Sequence, residues 1–438
     1  MFLVVSITFV LLISLFCIIF TFNPKKRPFL TESDWTTHRS PWWQLYYSSK
    51  YLQPVKSPAN DTIAELFNRS MAADPQRETL KESRTVTLKT VGDLMCRRDL
   101  IGQGGHDLWK HVGPYLFDAD FVMGNLEFAV NPANIIEKMI RFSVTPAHAQ
   151  PLLGDKRFGA FNLVSLANNH INDSHSQGIV STCDYLDSIG LMHVGANRTA
   201  SEQDQFPIVD INGVKTAFLS YTFSTNGIPL EEQFEFGTNL VRFNALDERD
   251  YDPSLILKQI KMAKDLGAEL IVSCNHWGVE FEYFPPERLI ERAHGLLEAG
   301  VDIIIGHHPH IINPVERYKT RDGRSTVVFY SLGNITSWAL KHSMQKLSLI
   351  AEIEVERGLD SAGNKVVRIG DVSLMPVVHL FRKNEGVLRH NIFPLLKYAE
   401  MAREGNGADE CTPAQLKKLV GLDKEFRRHF MQHGLNYI

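Results

Sequence analysis

Three imidazoles fall within four positions at His307, His308 and His310, directly after Gly306 and the apolar run Val301-Asp302-Ile303-Ile304-Ile305. Imidazole is a common ligand of borderline divalent metals, and two residues apart, as His308 and His310 are, is a spacing that converges on one ion once Pro309 kinks the backbone. A lone histidine at a strand end needs only a hydrogen-bond partner. Three together after a buried strand favour a site. Related residue types recur elsewhere: Asp93 after Gly92, Glu127 after Gly124-Asn125-Leu126, Asn168-Asn169-His170 after Ala167, and His276 before Trp277-Gly278. Carboxylate, carboxamide and imidazole groups from separate loops are what zinc, manganese or iron requires. Within this set Asp93 and His310 suit one ion, Asn169, His276 and His308 suit a second, and Glu127 can bridge them. His170 is then left to act on a leaving group, with Asp173 placed to orient it.

Each of these residues also has a plain structural reading. Asp93 after a glycine is a good turn residue or helix N-cap. Asn168 and Asn169 tolerate left-handed backbone, and Asp173 can cap the helix that begins nearby. Glu280 and Glu282 read as a solvated face, with Glu280 within possible reach of the site. Cys274 reads as a small buried strand residue, and Cys96, close to Asp93, is the thiol to test. What favours the site is convergence, because every cluster stands just after a predicted strand.

Those strands follow from side-chain periodicity. Val86, Leu88 and Thr90 alternate up to Val91 and stop at Gly92-Asp93; shorter strands cover 120–123 and 161–166. A helix covers 178–189, and a hairpin joins 206–211 to 214–221 through Asn212-Gly213. Helix 253–266, strand 268–273, helix 286–299 and strand 301–305 then alternate, the pattern of parallel βα units, whose sites gather at the carboxyl ends of the strands. The 301–305 run, apolar with little alternation, predicts a central strand buried on both faces. After Pro314 an antiparallel pair, 315–319 with 325–330, is expected, and strands near 347–356 and 365–378 are expected to continue that sheet. From about Leu380 the pattern becomes polar and helical, with Thr412-Pro413 as a helix start.

The chain has 438 residues, 44% hydrophobic and 22% charged, which are values of a globular protein with a sizeable core. A net charge of -4 gives no electrostatic footprint for nucleic acid. Five widely spaced cysteines form no disulfide framework. Residues 1–22 carry no charged side chain and lack the basic start and cleavage site of a secretory signal. At a length of about 20 residues they are expected to form a retained transmembrane anchor. Residues 23–84 read as a stalk broken by prolines, with a short helix over 61–73, and 85–380 as the main domain. Residues 381–438 read as a helical extension.

With these clusters in view the chain resembles the CapA/PgsA family of bacterial poly-γ-glutamate capsule synthesis proteins. The resemblance rests on Gly92-Asp93-Leu94-Met95, Gly124-Asn125-Leu126-Glu127, Ala167-Asn168-Asn169-His170 with Asp173 and Gly178, His276-Trp277-Gly278-Val279-Glu280, Gly306-His307-His308-Pro309-His310 and Tyr330-Ser331-Leu332-Gly333-Asn334. It implies a calcineurin-like metallophosphoesterase fold, α/β in class, a four-layer αββα sandwich of two mixed β-sheets behind the N-terminal transmembrane helix. The motifs add Asn125, Asn168, Glu280, His307 and Asn334 as further site residues. The chain departs from the wider metallophosphoesterase pattern in two places: Met95 stands where those enzymes carry a ligating histidine, and Asn125 stands where they carry the bridging aspartate. It also departs from the family it resembles, whose Asp-Tyr-Gly is replaced by Asp173-Ser174-His175.

The resemblance also implies a membrane-anchored component of capsule polymer synthesis or export, at the bacterial cell membrane with its body outside the cytoplasm. Lys25-Lys26-Arg27 after the anchor argue for the opposite orientation. Expected partners are other membrane proteins of the complex and the anionic glutamate polymer, for which Arg97, Arg98, Arg141 and Lys156 are candidate contacts. The expected cofactor is one or two divalent ions of manganese, zinc or iron. The reading leans to a metal-dependent hydrolase that binds or cleaves the polymer or a phosphorylated carrier. A free-standing phosphoesterase and a non-catalytic scaffold are the alternatives.

Overall fold

The computed structural model describes residues 56–68, 78–96, 100, 105–132, 136–138, 141–245, 247–336, 344–384, 386–407, 410–432 and 434–438. The 1–22 anchor, most of the stalk, and Arg97 and Arg98 lie outside them. Among the described residues no helix is long and apolar enough to cross a membrane.

Two mixed sheets carry the chain. The first runs in the order Val387–Pro394, Lys365–Asn384, Leu347–Leu359, Lys81–Leu94, Phe121–Leu126, Leu163–Ser165, Met192–Val194, with Asn436–Tyr437 beside Lys365–Asn384. The second runs Ile208–Ile211, Val214–Thr222, Leu270–His276, Ile303–His307, Ser325–Phe329, Val315–Lys319. Strand Ile303–His307 lies between two parallel neighbours, as its unbroken apolar run predicts. Because successive side chains point to opposite faces, Ile303 and Ile305 enter one core and Ile304 another. The first of these cores joins the two sheets: Val86, Leu88, Phe121 and Met123 from one meet Phe218, Val272 and Phe329 from the other. Val91, Val122 and Val164 face an outer layer that includes helix His175–Ser188. Ile271 and Ile304 face helices Ser254–Asp265 and Glu287–Ala299.

The Asn212-Gly213 hairpin forms as expected, with both residues left-handed at φ 49° and 93°. Two expectations fail. Strands 347–359 and 365–384 do not extend the second sheet; they join the first, where Leu347–Leu359 runs antiparallel to Lys81–Leu94 with Thr90 opposite Ala351. The chain crosses between sheets at Gly333, whose φ of 73° suits glycine. Its carbonyl accepts from Asp93 N at 2.9 Å. A Cβ on Gly92 would lie 1.9 Å from that oxygen, so only glycine permits the contact. The pairing partners lie more than 250 residues apart, a separation that local periodicity does not report.

Strand structure also runs past Leu380, because Val387–Pro394 adds an edge strand. Its residues are partly buried over Val387–Arg389 and buried from His390 onward, so this edge is covered instead of solvated. Beyond it, helix Pro413–His429 starts with a capping box between Thr412 and Gln415. Leu419, Leu422 and Phe426 from this helix enter the core between the sheets, each worth about 2 kcal/mol of burial. The C-terminal segment is therefore packed into the main body.

Candidate metal centre

Strands end together at one edge of both sheets. Asp93 and Asn125 are register partners on adjacent strands of the first sheet, and His276 and His307 are register partners in the second. Gly306 lets the second pair close up, since a Cβ there would stand 2.1 Å from the Tyr330 carbonyl and 2.6 Å from Trp277 Nε1. After it the backbone is strained: His308 has φ 96° and His310 φ 57°, and Phe281 and Asn226 nearby are also left-handed at 64° and 54°. Such conformations cost about 1–3 kcal/mol each and persist where the surroundings over-determine them.

The polar side chains interlock. Asp93 accepts from Asn125 Nδ2 at 2.9 Å and from the His308 backbone N–H at 3.2 Å, and its Oδ1 lies 2.9 Å from His307 Nδ1. His310 Nδ1 is 2.9 Å from Asn334 Oδ1 and 3.4 Å from Asp93 Oδ2. His276 Nε2 is 2.9 Å from Asn169 Oδ1 and 3.6 Å from Glu127 Oε1. Asn168 donates to the Leu126 carbonyl at 2.8 Å and accepts from the His170 backbone, which fixes the loop after strand Leu163–Ser165. His170 Nδ1 sits 2.7 Å from Asp173 Oδ2, which also accepts from the Phe142 backbone N–H. Asp173 thus orients His170 instead of capping the helix.

What is missing from this network matters more. Both carboxylate oxygens of Glu127 and both ring nitrogens of His308 are buried without a hydrogen-bond partner. Glu127 is fully buried and His308 is 1% exposed, so water does not substitute. Leaving such groups unsatisfied costs about 1–3 kcal/mol apiece. Donor atoms of Glu127, His276 and His308 lie within 4.8 Å of one another, as do those of Asp93, Glu127 and His310, and those of Glu280, His308 and His310. Glu127 belongs to two of these groups, and Glu280 does reach the cluster.

Electrostatics separate the groups. Burial, aided by neighbouring imidazoles, pushes His276 and His308 well below the usual imidazole range, so both rings are neutral. Burial alone would raise the pKa of Asp93, yet hydrogen bonds and charge from His307 and His310 hold it well below the usual carboxylate range. Burial, reinforced by the charge of Asp93, pushes Glu127 up. His310 goes to about 10 because Glu127 and Asp93 outweigh its burial. Glu127 and His310, both shifted up, stand 3.7 Å apart, where a cation would replace the protons that both hold.

The candidate metal ligands come to this edge together with His170, Asp173, Asn125, Asn168 and Asn334, whereas the cysteines and Lys156 do not. Met95, in place of a ligating histidine, is buried in the outer hydrophobic cluster. Asn125, in place of the bridging aspartate, donates to Asp93 and also lies 3.5 Å from His276 Nδ1. Cys96 sits in the outer cluster with its thiol 3.6 Å from the His148 carbonyl. Burial raises the thiol of Cys274 to about 12, an inert core residue. Lys156 is exposed. Sequence reasoning missed Asn226, which accepts from Asn169 at 3.0 Å and reaches His170 Nδ1 at 3.5 Å. It missed the aromatic lining too: Phe223 packs on His308 at 4.7 Å between ring centres, and Phe142 on His170 at 4.6 Å. The available signal was Thr225-Asn226-Gly227, a turn sequence just after strand Val214–Thr222, which ends at the same edge.

Comparison with known proteins adds an independent line. A family model described as "Bacterial capsule synthesis protein PGA_cap" matches residues 87–338. The chain is 31% identical over 282 residues to "Capsule biosynthesis protein CapA" of Bacillus anthracis, covering 62% of this chain and 64% of that one. It is 30% identical over 275 residues to "PGA biosynthesis protein CapA" of Bacillus subtilis, covering 60% and 66%. The match thus spans just under two thirds of these relatives. Among solved structures, the Sulfate thiohydrolase SoxB of "Termus thermophilus" aligns over 62% of this chain and 38% of its own at 13% identity and a TM-score of 0.26, too low to carry a fold assignment.

Proposed function

Because this chain belongs to the bacterial capsule synthesis protein PGA_cap family, we propose that it is an accessory component of poly-γ-glutamate synthesis or export with a metal-dependent hydrolase centre. The centre acts on the polymer or on a phosphorylated carrier, and its framework is the four-layer metallophosphoesterase-like sandwich. One observation carries the reading: Glu127, buried with neither oxygen hydrogen-bonded, belongs to two potential ligand groups at once. Structural carboxylates are satisfied by donors; this one is held for a cation.

Asp93, Glu127 and His310 would hold one divalent ion, and Glu127, Asn169, His276 and His308 a second. Ions of the manganese, zinc or iron class supply Lewis-acid stabilisation of an oxyanion and activation of water at neutral pH. The remaining steps belong to the chain. Asn334 holds the ring of His310, and Asn226 holds the side chain of Asn169. His170 has its Nδ1 taken by Asp173, so Nε2 is the atom that hands a proton to a leaving oxygen. The rings of Phe142 and Phe223 cover His170 and His308 and lower the local dielectric.

The anchor over 1–22 and an extracytoplasmic body belong to the same proposal. An alkaline-phosphatase reporter, whose disulfides form only outside the cytoplasm, should be active when joined after Arg84; an expressed but inactive fusion overturns that orientation. For the centre, the measurement is metal content of the purified full chain beside a His308→Ala, His310→Ala double variant. About one or two equivalents, lost in the variant, support the centre and direct a screen of phosphodiesters and γ-glutamyl polymers. No metal in either protein after supply of manganese, zinc and iron overturns the hydrolase reading and leaves a polymer-binding or scaffold role.

A further inference from the structure

A second concentration of charge lies away from the histidines, where helix Pro413–His429 meets strand Lys365–Asn384. A cleft of about 350 Å³ there is lined by Lys346, Arg382, Lys383 and Lys418, together with Thr412 and Gln415 from the start of the helix. Among the described residues no aspartate or glutamate lines it. Lys346 is only 5% exposed and pairs with no carboxylate among the described residues. A buried ammonium without a counter-ion is rare in a structure optimised only for stability. Burial and the adjacent Lys418 ammonium push Lys346 down to about 7, a penalty that an anion in the cleft would remove.

Two further groups point the same way. Gln415 is 7% exposed and its Nε2 has no partner, its oxygen being used by the capping box with Thr412. Arg382 Nε is likewise buried without a partner. Cations, an unused amide and the first turn of a long helix therefore share one cavity. All are donors, and all suit oxygen acceptors bearing negative charge.

We propose that this cleft is an oxyanion-binding subsite, distinct from the histidine centre, that takes the carboxylate or phosphate groups of an acidic ligand. Its place in the fold connects it with the centre. Lys346 immediately precedes Leu347, whose carbonyl packs against Gly333, and Gly333 is followed by Asn334, the partner of His310. Carboxylates and phosphate esters are both compatible with the donors, so the test must separate them.

The test uses the purified full chain with two probes, a fluorescein-labelled γ-linked glutamate oligomer of about ten residues, followed by anisotropy, and inorganic phosphate, followed by calorimetry. Lys346→Met and Lys418→Gln are compared with the wild type and with Lys261→Gln, an exposed lysine on helix Ser254–Asp265 outside both sites. Loss of one charged contact should weaken binding about tenfold in either lysine variant, while Lys261→Gln keeps the wild-type affinity. Weakening for the oligomer alone identifies a carboxylate chain, and weakening for phosphate alone identifies a phosphate group; both outcomes support the subsite. Lys418 is half-buried, so its variant remains informative if Lys346→Met fails to fold. No binding of either probe, or equal binding by wild type and both lysine variants, overturns the proposal.

Discussion

The two ends of the second sheet treat buried charge in opposite ways. At the end away from the histidines, Asp302 accepts from the Ile271 backbone N–H at 2.9 Å and from Arg324 Nη1 at 2.7 Å. Arg324 spends its remaining donors on the carbonyls of Leu297 and Val301 and on Asp322. Burial raises the pKa of Asp302, and the hydrogen bonds with Arg324 oppose that rise. At the other end, His308, joined by Glu127 from the facing sheet, is buried more deeply than Asp302, yet the polar atoms of both lack partners, and the backbone there is left-handed at two histidines. The first end is satisfied by the chain itself. The second is completed only by something the chain does not contain, which is how a binding site differs from a structural ion pair.

That contrast can be broken most severely at its shared ligand. Glu127→Ala should lower metal affinity by at least about 100-fold, more than loss of an outer-shell partner costs, as read by competition with a chromophoric chelator. The metal-free variant should be no less stable than the metal-free wild type; a large loss of stability would instead mark Glu127 as structural. Arg324→Ala tests the opposite end. It strands the Asp302 carboxylate and should cost about 2 kcal/mol in urea unfolding, with metal content unchanged.

Smaller effects sharpen the comparison elsewhere. Lys346 has a folded-state pKa near 7 against an ordinary value of 10.5. A depressed pKa gives stability that is present above the unfolded value and lost as the pH falls toward the folded one. Without added anion, Lys346→Met should therefore gain stability on the wild type as the pH falls from 10 to 7, and 20 mM phosphate should shrink the gain. Equal differences at both pH values would show that Lys346 carries its charge without penalty. His175 stands at φ 57° where the motif of the family it resembles has glycine. His175→Gly should raise stability by a few tenths of a kcal/mol, about the strain relieved less the entropy added, measured by thermal unfolding.

Much of the centre was legible because ligating residue types at strand ends leave a local record. Gly92-Asp93, Asn168-Asn169-His170 and Gly306 through His310 each combine a strand signal, a breaker and a donor within a few residues. Asn226 and the rings of Phe142 and Phe223 left no such record. Aromatic and amide residues after a strand are common, and only their contacts with His170, Asn169 and His308 give them meaning. The basic cleft was invisible for the same reason, since Lys346, Arg382 and Lys418 are scattered along ordinary polar sequence.

By itself the sequence determined the kinds of elements, most of their boundaries and the set of donors at their ends. These depend on periodicity and turn chemistry, which act over a few residues. Only the tertiary structure decided that strand Leu347–Leu359 pairs with Lys81–Leu94, and that Asn125 turns to Asp93 while Glu127 lies between two groups of donors. Strand pairing and side-chain convergence are settled by packing between segments hundreds of residues apart, where small differences in burial and sterics choose among partners that look alike locally.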